Sequence, residues 1–204
     1  MRDFWNANTH YHGLVLASLP KGPSRVLDVG CGDGILSAEL VEAGVPQVVG
    51  LDVDQPVLDR ARARHTCRGI EWVHGDVHQV RLDPESFDAV VSVATLHHMD
   101  AAASLKRFAQ LVRPGGAVVV VGLAANSWTD IPFAAIAVAA RQALGLVYGH
   151  WAHSAPQAWP PPLTYGEMKT LATRVLPGVR YRRHLLGRYS LVWRKPDGRQ
   201  EQAS

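Results

Sequence analysis

The chain reads as an α/β protein with seven strands in a mostly parallel sheet and an antiparallel hairpin at one edge. Three observations predict this. Apolar runs alternate with helical stretches, and runs such as FDAVVSV (87–93) and AVVVVG (117–122) are continuous rather than alternating, as expected when both sheet faces are covered. A glycine-rich turn joins the first apolar run to the first long helical stretch. Near the C-terminus, VRYRRHLL and YSLVWRK alternate only partly, are joined through Gly187, and read as a hairpin.

The elements follow in order. Residues 8–19 have the spacing of an N-terminal helix. Val26, Leu27 and Val29 carry a strand over 24–29, and ILSAELVEAG continues as a helix over 34–43. VVGLD ends a second strand at 47–52, followed by a helix over 55–66 and a strand at 70–74. Strands at 87–92 and 116–122 flank a helix over 102–112, which Pro114, Gly115 and Gly116 are expected to stop. After Gly122 the regular pattern gives way to an Ala-rich helix, Ile131 to Val147, and the loop HWAHSAPQAWPPPL. A helix over 165–175 precedes the hairpin, and the tail after Pro196 is polar. Internal repeats are absent from the sequence.

A chain of 204 residues, 47% apolar and 19% charged, has the composition of one globular domain. The expectation is a single domain over 1–204 with 126–165 as a lid or cap over the substrate. Lysine and arginine number 21 against 18 acids, a formal charge of +3. The nearest approach to a basic patch, RYRRHLLGR (180–188), also reads as a strand with a solvated face, so no nucleic-acid partner is expected. Cys31 and Cys67 make neither a disulfide framework nor a metal-ligand spacing, and the N-terminus has no apolar signal-like run. A cytoplasmic setting is the expectation. Ile131 to Val147 is broken by Arg141 and Gln142 and is short for a membrane span.

The sharpest local feature is VLDVGCGDG, Val26 to Gly34. Glycines at 30, 32 and 34 let the backbone turn sharply and approach a ligand where a Cβ would clash. Asp52 lies twenty residues past Gly32, at the end of the next apolar run. A strand, glycine turn, helix and strand-end carboxylate suit a nucleoside, whose ribose hydroxyls the acid would accept. The dinucleotide fingerprint wants a third glycine where Ile35 stands. Asp28, two residues before Gly30, would repel a pyrophosphate and suit a cation. S-adenosylmethionine, with its sulfonium and ammonium, answers that description.

On these residues the chain resembles the class I S-adenosylmethionine-dependent methyltransferases, in particular those acting on small metabolites. VLDVGCGDG resembles the family's first motif and VVGLDVD its second-strand motif. HGDV (74–77) is similar to the segment after strand three, VSVATLHHM to the segment after strand four, and LVRPGGAVVVVG to the helix–turn–strand that follows. The resemblance covers about residues 24–122 in order and spacing. It implies the Rossmann-like class I methyltransferase fold, methyl transfer as the activity, and S-adenosyl-L-methionine as the cofactor. It names no acceptor.

A cofactor site is expected from these positions. Gly30, Gly32 and Gly34, with Cys31 inside the turn, would wrap the methionine part with backbone groups facing it. Asp28 would help hold the ammonium, or satisfy nearby donors as well. Asp52 would accept from the ribose, and Asp54 would contact the ligand or cap the following helix. Val53 would pack on the adenine. The resemblance adds Asp76 and the Val77 amide for the adenine edge, Val93 at the end of strand four, and Tyr11 near the carboxylate. Trp5 would fold over the cofactor or pack in the core. No metal site is expected.

A sulfonium methyl is already activated, so placing the nucleophile in line supplies much of the rate. An oxygen acceptor of high pKa also needs a base, and histidine suits that work. His98 leads, then His97, both just past strand four, with His150 or His153 as substrate contacts. Trp128, Phe133, Tyr148, Trp151, Trp159 and Tyr165 gather where a lid would wall an apolar pocket. A homodimer interface is the competing use of that segment. The expected acceptor is a small, partly hydrophobic metabolite methylated at oxygen. A protein or nucleic-acid methyltransferase, a cofactor-binding relative without transfer, and another doubly wound nucleotide enzyme stay open.

Overall fold

A computed structural model of the chain describes residues 5–130, 136–138, 140, 142–144 and 160–197. The strands are β1 (Arg25–Val29), β2 (Gln47–Asp52), β3 (Ile70–His74), β4 (Phe87–Val93), β5 (Val112–Gly122), β6 (Arg180–His184) and β7 (Arg188–Arg194). They form one sheet in the order β3-β2-β1-β4-β5-β7-β6. β1 to β5 run parallel, and β7 lies antiparallel to both β5 and β6. The strand order reverses between β1 and β4. In such sheets the carboxyl ends at that point frame a crevice where ligands bind.

The helices are α1 (His12–Ala17), α2 (Ile35–Glu42), α3 (Gln55–Arg64), α4 (Ala101–Leu111) and α5 (Tyr165–Val175). β5 shows why its sequence reads as an unbroken apolar run. Val118 and Val120 join one core cluster with Phe108, Leu111 and Met168 of α4 and α5. Ala117, Val119 and Val121 join a second with Val15, Leu36 and Leu40 of α1 and α2. All four valines are fully buried, each contributing about 1.5–3 kcal/mol of transfer free energy. Caps fix helix starts near the crevice. Asp54 accepts from the Val57 N–H at 3.3 Å to open α3, and Asp100 from the Ala103 N–H at 2.9 Å to open α4. Thr164 and Glu167 form a capping box on α5.

Two boundaries differ from expectation. The N-terminal helix begins late, as a 3-10 turn at Thr9–Tyr11 followed by α1. The Asn6 side chain accepts from the N–H groups of Asn8 and Thr9, a local alternative to helix. Pro114–Gly116 does not end α4. The chain is already extended at Val112, and Pro114, Gly115 and Gly116 lie inside β5. Phe87 faces Val112 while Ala89 faces Ala117, so the register jumps across that segment, with Gly115 at φ 75°.

Of the expected lid, residues 136–138, 140 and 142–144 are helical, while His150, His153, Phe133, Tyr148, Trp151 and Trp159 lie outside the described residues. Trp128 is exposed. Tyr165 is not a lid residue. It is buried in the core beneath the Arg183 guanidinium, 3.9 Å from its ring centroid. Trp5 is buried in the α1/α2 cluster. Among the described residues no helix is long and apolar enough to cross a membrane.

Candidate active site

A cavity of about 750 Å³ lies over the carboxyl ends of β1, β2 and β4. Asp28, Gly30, Cys31, Gly32, Asp52, Val53, Asp76, Val77, Val93 and His98 all line it. Tyr11, Gly34 and His97 are absent from its lining among the described residues. Asn6, Asn8, Thr9, His12, Asp54, His78 and Thr95 are present.

The glycine turn is stitched to β2. The N–H groups of Gly30 and Cys31 both donate to the Leu51 carbonyl, at 2.7 and 3.1 Å. The Gly32 N–H donates to Asp52 Oδ2 at 2.8 Å. These three N–H groups are engaged within the protein. The glycines serve different ends. A Cβ at position 30 would fall 2.2 Å from Thr95 Oγ1, and one at 34 would fall 2.3 Å from Trp72. Gly32, at φ 54°, has no atom beyond its chain neighbours within 4 Å of where its Cβ would be, among the described residues. Of the three glycines, Gly32 is therefore the one whose backbone is left open among the described residues. Gly34, left-handed at the start of α2, makes room for Trp72 of β3.

The acids differ in their surroundings. Asp52 also accepts from the Asp54 N–H through Oδ1 at 3.0 Å, and each of its oxygens keeps a further lone pair. Asp76 accepts from the His78 N–H at 2.9 Å, beside the buried Val77. Val53, 67% exposed, stands at the rim. Asp28 is buried and accepts from Ser37 Oγ at 2.7 Å. Burial lifts its pKa to about 6 against the pull of Ser37 and His12. Burial, with Asp28 and Asp52 nearby, also pushes the Cys31 thiol well up, so it is a packing residue and not a thiolate.

Past β4 the backbone is strained. Ala94 has φ 55°, and its N–H donates to the Val121 carbonyl at 2.7 Å. A non-glycine residue in this region costs about 1–3 kcal/mol and marks a segment the surroundings hold in place. The same segment carries Thr95, which donates to the Gly30 carbonyl at 3.3 Å, and His98. His97 stands with its ring centroid 4.0 Å from that of His98. Burial, His98 and Arg188 lower the His97 pKa to about 4, and its Nδ1 is buried without a hydrogen-bond partner among the described residues.

Tyr11 is displaced from its expected role. It is buried, its hydroxyl accepts from the Leu186 N–H at 3.2 Å, and its ring packs on His184. Arg188 meanwhile donates to Asn8 Oδ1 at 2.8 Å, fastening the N-terminal segment to the β6–β7 hairpin. The segment thus turns Asn6, Asn8, Thr9 and His12 toward the cavity instead. Asn6 and Thr9 brace each other, the Asn6 N–H donating to Thr9 Oγ1 at 2.9 Å. That three-residue spacing of capping side chains was the available sequence signal. Thr95 had none.

Six aspartates line the cavity (28, 33, 52, 54, 76 and 100), and no lysine or arginine does so among the described residues. Such a surface repels polyphosphates and attracts cations. No group of three or more metal-ligating side chains occurs among the described residues.

The buried Asp28 carries a pH prediction. The native state keeps this proton where the unfolded chain, with a pKa of about 4, has released it. Stability of the free protein therefore falls as pH rises from about 4 to about 6, and a ligand ammonium favours the ionised form. S-adenosylhomocysteine affinity is expected to rise with pH through about 6, and to lose that dependence in Asp28→Asn. Calorimetric titration across this range checks it.

A model of the methyltransferase domain family matches residues 27–120. An uncharacterized methyltransferase of Mycobacterium tuberculosis is 43% identical over 198 residues, covering 94% of this chain and 98% of the relative. The chain belongs to the class I S-adenosylmethionine-dependent methyltransferases, and family and fold imply use of that cofactor. A malonyl-[acyl-carrier protein] O-methyltransferase of Pseudescherichia vulneris is 35% identical over 63% of this chain and 51% of its own length. The crystal structure of an S-adenosylmethionine-dependent methyltransferase from Mesorhizobium loti shares the fold, with a TM-score of 0.60 at 22% identity over 89% of this chain and 96% of that one.

Proposed function

We propose that this methyltransferase acts on an oxygen of a small, partly hydrophobic metabolite, in the cavity over β1, β2 and β4. The carrying observation is the aspartate-lined surface, without lysine or arginine among the described residues, beside an open Gly32. It fits a nucleoside bearing a sulfonium and an ammonium and disfavours a polyanionic acceptor such as nucleic acid.

S-adenosylmethionine, when bound, supplies an activated methyl group. The protein's residues hold and orient. Asp52 accepts from the ribose hydroxyls while keeping the Gly32 turn in place. Asp76 and the Val77 amide take the adenine edge, with Val53 and Val93 against the ring. Asp28, ionised, faces the ammonium. His98, on the cavity wall and exposed, removes the acceptor's proton. His97 does not line the cavity and serves to pack the His98 ring. The oxygen assignment rests on this histidine and on the O-methyltransferase relative. Residues 126–165 belong to the same domain and shape the acceptor side.

His98→Ala is expected to lower turnover by about 10²–10⁴-fold and to leave cofactor affinity within about twofold. An equal loss in affinity would make His98 a cofactor contact instead. The acceptor is found by incubating the protein with metabolite extracts and S-adenosylmethionine. The expected product is one CH₂ unit heavier than its precursor, with S-adenosylhomocysteine released. Labelling of protein or RNA alone in such extracts would overturn the small-molecule reading.

A further inference from the structure

Large apolar side chains left in water are not spread evenly over the molecule. Five stand exposed among the described residues, and one of them, Val53, is at the cavity rim. The other four, Trp128, Ile136, Val138 and Leu185, lie in the segment after β5 or in the β6–β7 turn. Trp128 is 90% exposed, so almost nothing in the protein covers its ring, and Leu185 is 48% exposed. Single exposed apolar residues are ordinary, but a grouped set marks a surface that meets something else. Arg183 ties the first of these residues to the last. It pairs with Asp130 and donates to Asn126 Oδ1 at 3.3 Å, so it holds both residues that flank Trp128. Leu185 lies two residues beyond Arg183, which sets Trp128 and Leu185 at the same end of β6. Ile136 and Val138 belong to the helical stretch whose Ala137, Ala140 and Leu144 turn inward, leaving these two side chains outside.

The same region is cationic. Residues 160–197 carry eight lysines and arginines against two acids, Glu167 and Asp197. Arg180 and Arg182 are exposed on β6, the edge strand of the sheet. This charge disfavours a second copy of the chain as the occupant, because two such surfaces would repel. Isoleucine, valine and leucine offer no ring on which bases could stack, so the set does not suit a nucleic acid either. A tryptophan and aliphatic side chains that enter an apolar layer, with arginines at the level of charged headgroups, suit an anionic bilayer surface. We propose that this end of the protein, centred on Trp128 and Leu185, docks on an anionic lipid membrane, with Arg180 and Arg182 against the headgroups. The association is peripheral, since no helix among the described residues is long and apolar enough to cross a membrane. The docking does not depend on the cofactor reading. Where both hold, a partly hydrophobic acceptor can reach the cavity from the bilayer.

Sedimentation with vesicles tests this. The protein is expected to pellet with phosphatidylcholine–phosphatidylglycerol vesicles at low salt and to pellet much less at high salt. With phosphatidylcholine alone it should stay in solution. Trp128→Ala combined with Leu185→Ser should weaken binding to the mixed vesicles roughly tenfold or more. Arg180→Glu combined with Arg182→Glu should weaken it as well and flatten its salt dependence. All four side chains are exposed, so urea unfolding of both variants should match that of the unaltered protein, which separates lost docking from lost folding. Absence of pelleting with the mixed vesicles would overturn the proposal. So would pelleting that the Trp128→Ala and Leu185→Ser pair leaves unchanged. A dimer in analytical ultracentrifugation that this same pair breaks into monomers, without vesicle binding, would assign the surface to a second copy instead.

Discussion

Asp52→Ala is expected to weaken S-adenosylhomocysteine at least roughly tenfold and to lower the protein's stability as well. The two effects have one origin. Asp52 holds the Gly32 N–H through one oxygen and the Asp54 N–H through the other. Its remaining lone pairs can accept further, and in the proposed site they take the ribose hydroxyls. Alanine removes all of these at once and leaves two backbone donors without their acceptor, at about 1–3 kcal/mol each where they are shielded from water. Asp52→Asn keeps one carbonyl oxygen and should lose less of both. Titration calorimetry and urea unfolding separate the parts. Lost stability with unchanged affinity would make Asp52 a structural staple of the turn and nothing more.

The second large effect is a contrast between neighbouring glycines. Gly34→Ala would put a methyl 2.3 Å from Trp72 at a φ of 77°, combining overpacking with a left-handed alanine. Overpacking alone costs about 1–3 kcal/mol, and the backbone adds about 1 kcal/mol. Urea unfolding should show a loss of several kcal/mol. Gly32→Ala meets no packed neighbour among the described residues, so only the backbone cost of about 1 kcal/mol applies. In the proposed site its methyl would nevertheless stand where the ligand approaches. The expected outcome is a folded protein with strongly reduced S-adenosylhomocysteine affinity. Undiminished binding by Gly32→Ala would show that no ligand comes close to that backbone.

The fold was legible because its signals are local. Strands buried on both faces read as apolar runs, and β2 and β3 fall where the runs 47–52 and 70–74 do. The glycine turn and Asp52 were legible because a sharp turn and a strand-end carboxylate both leave a mark on residue type. What escaped depends on contacts distant in sequence. Whether Tyr11 or His12 faces the cavity is decided by the β6–β7 hairpin, where Leu186 takes the tyrosine hydroxyl and Arg188 takes Asn8. Gly34 reads as part of a ligand loop until Trp72 is seen against it. Pro114 and Gly115 look like a helix stop because the bulge that absorbs them exists only where β4 and Lys195 pair alongside. His97 and His98 are adjacent in sequence, yet packing leaves one half-buried and the other on the cavity wall.

The central claim is that this aspartate-lined cavity receives S-adenosylmethionine and not a phosphate-bearing nucleotide. Calorimetric titration of the protein with S-adenosylhomocysteine, and separately with NAD and ATP, tests it most directly. The account predicts saturable binding of S-adenosylhomocysteine, lost in Asp52→Ala, and no binding of the two phosphate-bearing ligands. Saturable binding of NAD or ATP, with none of S-adenosylhomocysteine, would contradict it.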